Sequence, residues 1–168
     1  MNLVVYPLDI LQKYKSRGVL LDTNLLLVLA VGNYRKERIL SFKRTLQYTI
    51  EDYTLLTRIA AYFDRRVTTP NILTEVDNLA RQLPSIEYKA ISAALAELIS
   101  GLLEIYVPSL DASKTKTHEI FGLTDCVTVM SAADVLLVTD DLRLASFVSQ
   151  RGRDAININH IRTMNWKR

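Results

Sequence analysis

Five carboxylates stand where the chain has reasons other than solubility to put them. Val19-Leu20-Leu21 runs three apolar residues straight into Asp22, Thr23 and Asn24, and Val135-Leu136-Leu137-Val138-Thr139 ends on Asp140 and Asp141. Short apolar runs bounded by polar caps describe strands buried on both faces, as in parallel sheets, where function sits at the carboxyl ends of the strands. An ionised carboxylate at a buried strand end is costly unless something pairs with it. Two such ends in one chain therefore point to a shared partner, a metal ion. Glu75 falls about 40° outside the apolar stripe of Ile72, Val76, Leu79, Ala80 and Leu83 on a helical wheel, a position at the rim of a cleft. Asp125 follows Thr124 at the mouth of a helix, where backbone N–H groups favour negative charge.

Four acids delivered to one sheet edge repel by roughly 4 kcal/mol per pair at ~4 Å and an effective dielectric near 20. Without a cation some of them must stay protonated. Hard divalent ions take carboxylate and water oxygens, whereas zinc prefers histidine and cysteine. The two histidines, His118 and His160, and the single Cys126 show no zinc-site spacing, so Mg²⁺ or Mn²⁺ is the expected cofactor. Each acid also has a plainer role. Asp22, Thr23 and Asn24 suit a helix cap, Asp125 a first helical turn, Glu75 a solvated helix face, and Asp140-Asp141 a turn with an N-cap.

The elements that must position these residues follow from periodicity. Residues 1–18 read as an irregular or short helical preface, then Val19 to Asp22 as a strand and Leu25 to Val31 as a buried helix broken by Gly32 and Asn33. Residues 32–53 look like a helical insert. Leu46, Ile50, Tyr53, Leu56, Ala60 and Phe63 recur at helical spacing, and Val67 to Thr69 is a strand candidate. Thr69-Pro70 starts a helix that Pro84 stops, and a second helix spans Ile86 to Leu103. Glu104 to Val107 reads as a strand, Thr124 caps a helix to Ala133, Val135 to Thr139 is a strand, a helix covers Leu142 to Gln150, and Ala155 to Ile158 closes the sheet. Alternation of this kind predicts a mostly parallel central sheet in a three-layer α/β/α sandwich.

Composition narrows the classes. A chain of 168 residues, 49% hydrophobic, with five glycines, four prolines and no low-complexity tract suits one compact domain. Its longest apolar run, Leu25 to Val31, is far short of the ~20 residues a membrane helix needs. No basic secretory leader is evident, and one cysteine allows no internal disulfide, so a cytoplasmic protein is expected. The net charge of +3 and pI near 9.0 permit a nucleic-acid partner without demanding one. No G-x-G-x-x-G occurs, which argues against a dinucleotide-binding Rossmann site. A receiver-type signalling domain fits poorly, lacking an acidic pair after the first strand.

Leu21-Asp22-Thr23-Asn24, Thr69-Pro70 with Glu75, Gly122-Leu123-Thr124-Asp125 and Val138-Thr139-Asp140-Asp141, in that order and separation, resemble the PIN-domain ribonucleases. The likeness spans residues 19 to 158. It implies a PIN-like fold and an Mg²⁺- or Mn²⁺-dependent endoribonuclease that hydrolyses RNA with metal-activated water. Asp22, Glu75, Asp125 and Asp141 would be the catalytic, metal-binding acids, Thr139 a buttressing hydroxyl, and Thr23 or Asn24 polar support. The family's acid comes two residues after the threonine, which selects Asp141 and leaves Asp140 as a neighbour. Many small PIN domains are toxins of toxin-antitoxin pairs, so the resemblance also implies a homodimer and an antitoxin protein as partners. A catalytically silent PIN-like RNA-binding or assembly scaffold is the alternative. Tyr34-Arg35-Lys36-Glu37-Arg38 with Lys43-Arg44 could grip RNA phosphates or form a solvated helix face. Arg65, Arg66, Lys114, Lys116 and Arg143 are further candidates.

Overall fold

Two apolar runs of the sequence become adjacent central strands of one parallel sheet. The computed structural model describes residues 6–165; residues 1–5 of the expected preface lie outside the described residues. The strands are β1 (Val19–Leu21), β2 (Arg66–Thr68), β3 (Leu103–Glu104), β4 (Leu136–Thr139) and β5 (Ala155–Asn157). Their order is β3-β2-β1-β4-β5 and every pairing is parallel. Leu20, Leu136 and Leu137 are fully buried, as the apolar runs require of strands covered on both faces.

The helices are α1 (Tyr6–Tyr14), α2 (Thr23–Tyr34), α3 (Ile50–Tyr62), α4 (Pro70–Ala80), α5 (Ser85–Ser100), α6 (Ser109–Ser113), α7 (Lys116–Phe121), α8 (Leu123–Ser131), α9 (Leu142–Ser149) and α10 (Ile158–Asn165). The order steps outward from β1 to β3, then jumps back past β1 to β4. Right-handed crossovers accordingly put the β1-to-β3 connections on one face and the β4-to-β5 connection on the other. Helix α2 packs on α3, α4 and α5, while α9 packs on β4 and β5. The fold is α/β around a parallel sheet, consistent with a three-layer α/β/α arrangement.

Several local expectations change. Gly32 and Asn33 do not end the first buried helix, because α2 continues to Tyr34. Gly32 serves close packing instead: a Cβ there would meet the Tyr53 ring at 2.1 Å. The segment expected as a helical insert holds the last residues of α2, a 3-10 helix at Lys36–Leu40, turns, and the start of α3. Ile39, Phe42 and Tyr48 of that segment are buried in the main core. Leu46 lies before α3 and is exposed; the helix starts at a capping box in which Thr49 and Asp52 exchange side-chain and backbone bonds.

Helix α4 ends at Ala80, and Pro84 caps the start of α5 rather than stopping α4. The strand expected at Glu104 to Val107 is reduced to Leu103–Glu104, although the Ile105 N–H still reaches the Thr68 carbonyl at 2.9 Å. Thr124 does not cap its helix. Gly122, at φ +87°, holds that place, and Thr124 is the second residue of α8, a backbone conformation that favours glycine. Asp125 nevertheless stays in the first turn. Cys126 is fully buried beside Ala112 and Val127, the packing role expected of it.

Candidate functional site

The strand order reverses between β1 and β4, and in open parallel sheets a crevice forms at that point beyond the carboxyl ends. Asp22 leaves β1 there and Asp140 leaves β4. Asp22 caps α2: its Oδ1 accepts the Leu25 N–H at 2.9 Å, and its Oδ2 accepts the Asp140 N–H at 3.0 Å. The Thr139 hydroxyl also hydrogen-bonds the Asp22 carboxylate. Only 7% of Asp22 is exposed. Burial first, and the Asp140 charge second, push its carboxyl up to about 7 against these bonds. The cap expected of this motif is real, and it falls on Asp22 itself.

Asp140 is a hub that the sequence assigned only a neighbouring role. Its side chain accepts hydrogen bonds from Asn24 at 3.3 Å, from Gln47 at 3.0 Å and from the Tyr48 hydroxyl. Its carbonyl accepts from Asn157 at 3.1 Å and Asn159 at 3.4 Å. Tyr48 is 1% exposed, and burial, with the Asp140 bond next, drives its phenol far above the usual range. Arg162 stacks over the Tyr48 ring and clamps Asp52 through two bonds of 2.6 Å. Gln47, Tyr48, Asn157, Asn159 and Arg162 carried no sequence signal, because their partners lie more than 90 residues away for all but the asparagines, which act from the end of β5 and the start of α10.

A second group faces the first. Asp141 caps α9, its Oδ1 accepting the Arg143 and Leu144 N–H groups at 2.7 and 3.1 Å, while its own N–H donates to Thr139 Oγ1 at 2.9 Å. Glu75 Oε2 accepts the Thr23 hydroxyl at 3.2 Å. Asp125 is pushed up to about 6, by burial first and then by the charges of Glu75 and Asp141. Those two charges reach Asp125 from α4 and from the start of α9, so Glu75, Asp125 and Asp141 share one electrostatic field. Thr23 joins that trio to the Asp22 turn. Among the described residues, no three carboxylates, histidines or cysteines are drawn together closely enough to hold a metal ion in this conformation.

The basic segment after α2 is partly committed elsewhere. Arg38 pairs with Glu87 at 2.5 Å and Arg44 bonds Gln82 at 2.7 Å. Arg143 follows Asp141 in the first turn of α9 and gives it a backbone N–H, while its guanidinium lies over the Phe121 ring at 5.6 Å. Compared with known proteins, the chain matches no family model, no curated protein and no solved structure.

Proposed function

We propose that this chain is a PIN-like, Mg²⁺- or Mn²⁺-dependent endoribonuclease. The observation that carries the reading is the shared field of Glu75, Asp125 and Asp141, tied through the Thr23–Glu75 hydrogen bond to the turn where Asp22 leaves β1. The donors fit a hard cation in type. All are carboxylates, and Cys126 is turned into the small cluster with Ala112. Spare oxygens are present too: Asp141 caps α9 with Oδ1 alone, Glu75 binds Thr23 with Oε2 alone, and Asp125 gains no hydrogen bond that favours its charge.

Although no three of the described acids are drawn close enough to hold an ion in this conformation, Glu75, Asp125 and Asp141 would close on one when it binds, with Asp22 behind them. The ion, when bound, supplies Lewis acidity and an activated water for hydrolysis of a phosphodiester. Thr139 keeps Asp22 and Asp141 in register, because its one hydroxyl contacts the carboxylate of the first and the N–H of the second. Arg143, at the start of α9, would offer a cation to an RNA phosphate. No serine, cysteine or histidine nucleophile is needed.

Incubating the purified protein with a mixed RNA pool tests this directly. Cleavage is expected in Mg²⁺, lost in EDTA and restored by Mn²⁺. Cleavage that persists in EDTA defeats the mechanism, and RNA binding without cleavage in either metal transfers the chain to the scaffold class.

A further inference from the structure

One polar cleft adjoins the acids. It holds about 450 Å³ and lies between α4, the loop after β3 and the start of α8. Asn71, Thr74, Glu75 and Asn78 form its α4 wall. At 100° per residue these four fall within about 100° of one another, a polar stripe beside the apolar one that packs on the core. Thr124 closes the end next to Asp125.

The opposite rim is Tyr106, which is 75% exposed. Its neighbours hold it there. Ile105 and Val107 pack against the two apolar cores, and Pro108 follows at φ −58°, so the extended loop turns Tyr106 outward. Among the described residues no lysine or arginine lines the cleft, and Glu75 is the only charged one in its wall. A phosphate would be repelled from such a space, whereas a neutral planar group with hydrogen-bonding edges suits it.

We propose that this cleft is a nucleobase site: a base unstacked from single-stranded RNA lies against Tyr106, its edge bonded by Asn71 and Asn78, while the adjoining phosphodiester crosses the carboxylates. This rests on the nuclease reading for the phosphodiester alone. The amide side chains offer both a donor and an acceptor, the pairing that reads base edges, and aromatic stacking is how single-stranded RNA bases are held. A base paired and stacked in a duplex has neither its face free for Tyr106 nor its edge free for the asparagines. The site therefore selects single-stranded RNA and gives the neighbouring cut a base preference.

The test uses the whole protein and a short single-stranded RNA carrying one 2-aminopurine, with Ca²⁺ replacing Mg²⁺ to stop hydrolysis. Binding is expected to quench the 2-aminopurine. Tyr106→Ala should lose the quench and weaken binding by roughly 5- to 100-fold, from the usual worth of one stacked base. Tyr106→Phe should keep both, and Asn78→Ala should alter the ranking of oligo-A, oligo-C, oligo-G and oligo-U. Tyr106 is exposed, so loss of folding does not confuse the result. Cleavage of RNA with affinity and base ranking unmoved by Tyr106→Ala and Asn78→Ala overturns the base site and leaves the nuclease standing. A Tyr106-dependent quench in a protein that cuts nothing keeps the base site and removes the nuclease. Absence of any RNA binding overturns both.

Discussion

The acids divide into a closed half and an open half, built on opposite principles. Asp22 and Asp140 lie where β1 and β4 end side by side, wrapped in hydrogen bonds from Leu25, Thr139, Asn24, Gln47 and Tyr48. Asp125 keeps its carboxylate within the field of Glu75 and Asp141 with no compensating bond among the described residues. Buried polar groups are retained when their bonds are satisfied, so the closed half reads as framework as much as chemistry. The open half stores repulsion that only an added cation or a proton relieves. A catalytic site needs both: rigid backing, and charge left unspent for the ligand.

Asp125→Asn tests the open half most severely. RNA cleavage should fall by more than the roughly 100-fold that loss of an outer-shell partner costs a metal site. The melting temperature in EDTA should hold or rise, since a repelled carboxylate is removed. A large fall in melting temperature would make Asp125 a framework residue and erase the contrast.

Asp22→Ala should do the reverse to stability. It orphans the Leu25 and Asp140 N–H groups, costing about 2 kcal/mol near pH 4, or a drop of about 4–8 °C for a chain of this size. The gap should then narrow with pH. Asp22 has a folded pKa of about 7 against an ordinary value of 3.8, so the native state binds the extra proton. The stability this proton confers is fully present below about pH 3.8 and is lost as pH rises through about 7. Melting curves of both proteins from pH 4 to 8 in EDTA show whether this holds; a constant gap would mean Asp22 titrates normally.

Tyr48→Phe has the smallest expected effect. It removes one donor to Asp140 while Asn24 and Gln47 remain. A loss of about 1 kcal/mol in urea unfolding is expected, with cleavage reduced less than in Asp125→Asn. An equal collapse of activity would move Asp140 from framework to chemistry.

The closed half was the more legible in sequence. Asp22 and Asp140 announce themselves because strand and cap are contiguous, so local residues suffice to place them, and Asp141 of the open half is legible on the same ground. Thr139 was legible for the same reason. Glu75 was readable only as a position on a helical wheel, and Asp125 only as a first-turn acid. The supports were not readable. Tyr48 reaches Asp140 across 92 residues and Arg162 reaches Asp52 across 110, and neither pairing leaves a periodic trace. Gly32 misled for a related reason: glycine signals a helix end locally, but here it admits the Tyr53 ring.

By itself the sequence determined the alternation of elements, the parallel strands and the acids at their carboxyl ends, because apolar runs, caps and helical spacing act over a few residues. Tertiary structure alone decided the strand order that sets β4 beside β1, the separation of a bonded acid pair from a repelling trio, and the cleft between α4 and Tyr106. Those depend on through-space distance, and both Coulomb repulsion and a pocket's shape are set by distance in space, not by separation along the chain.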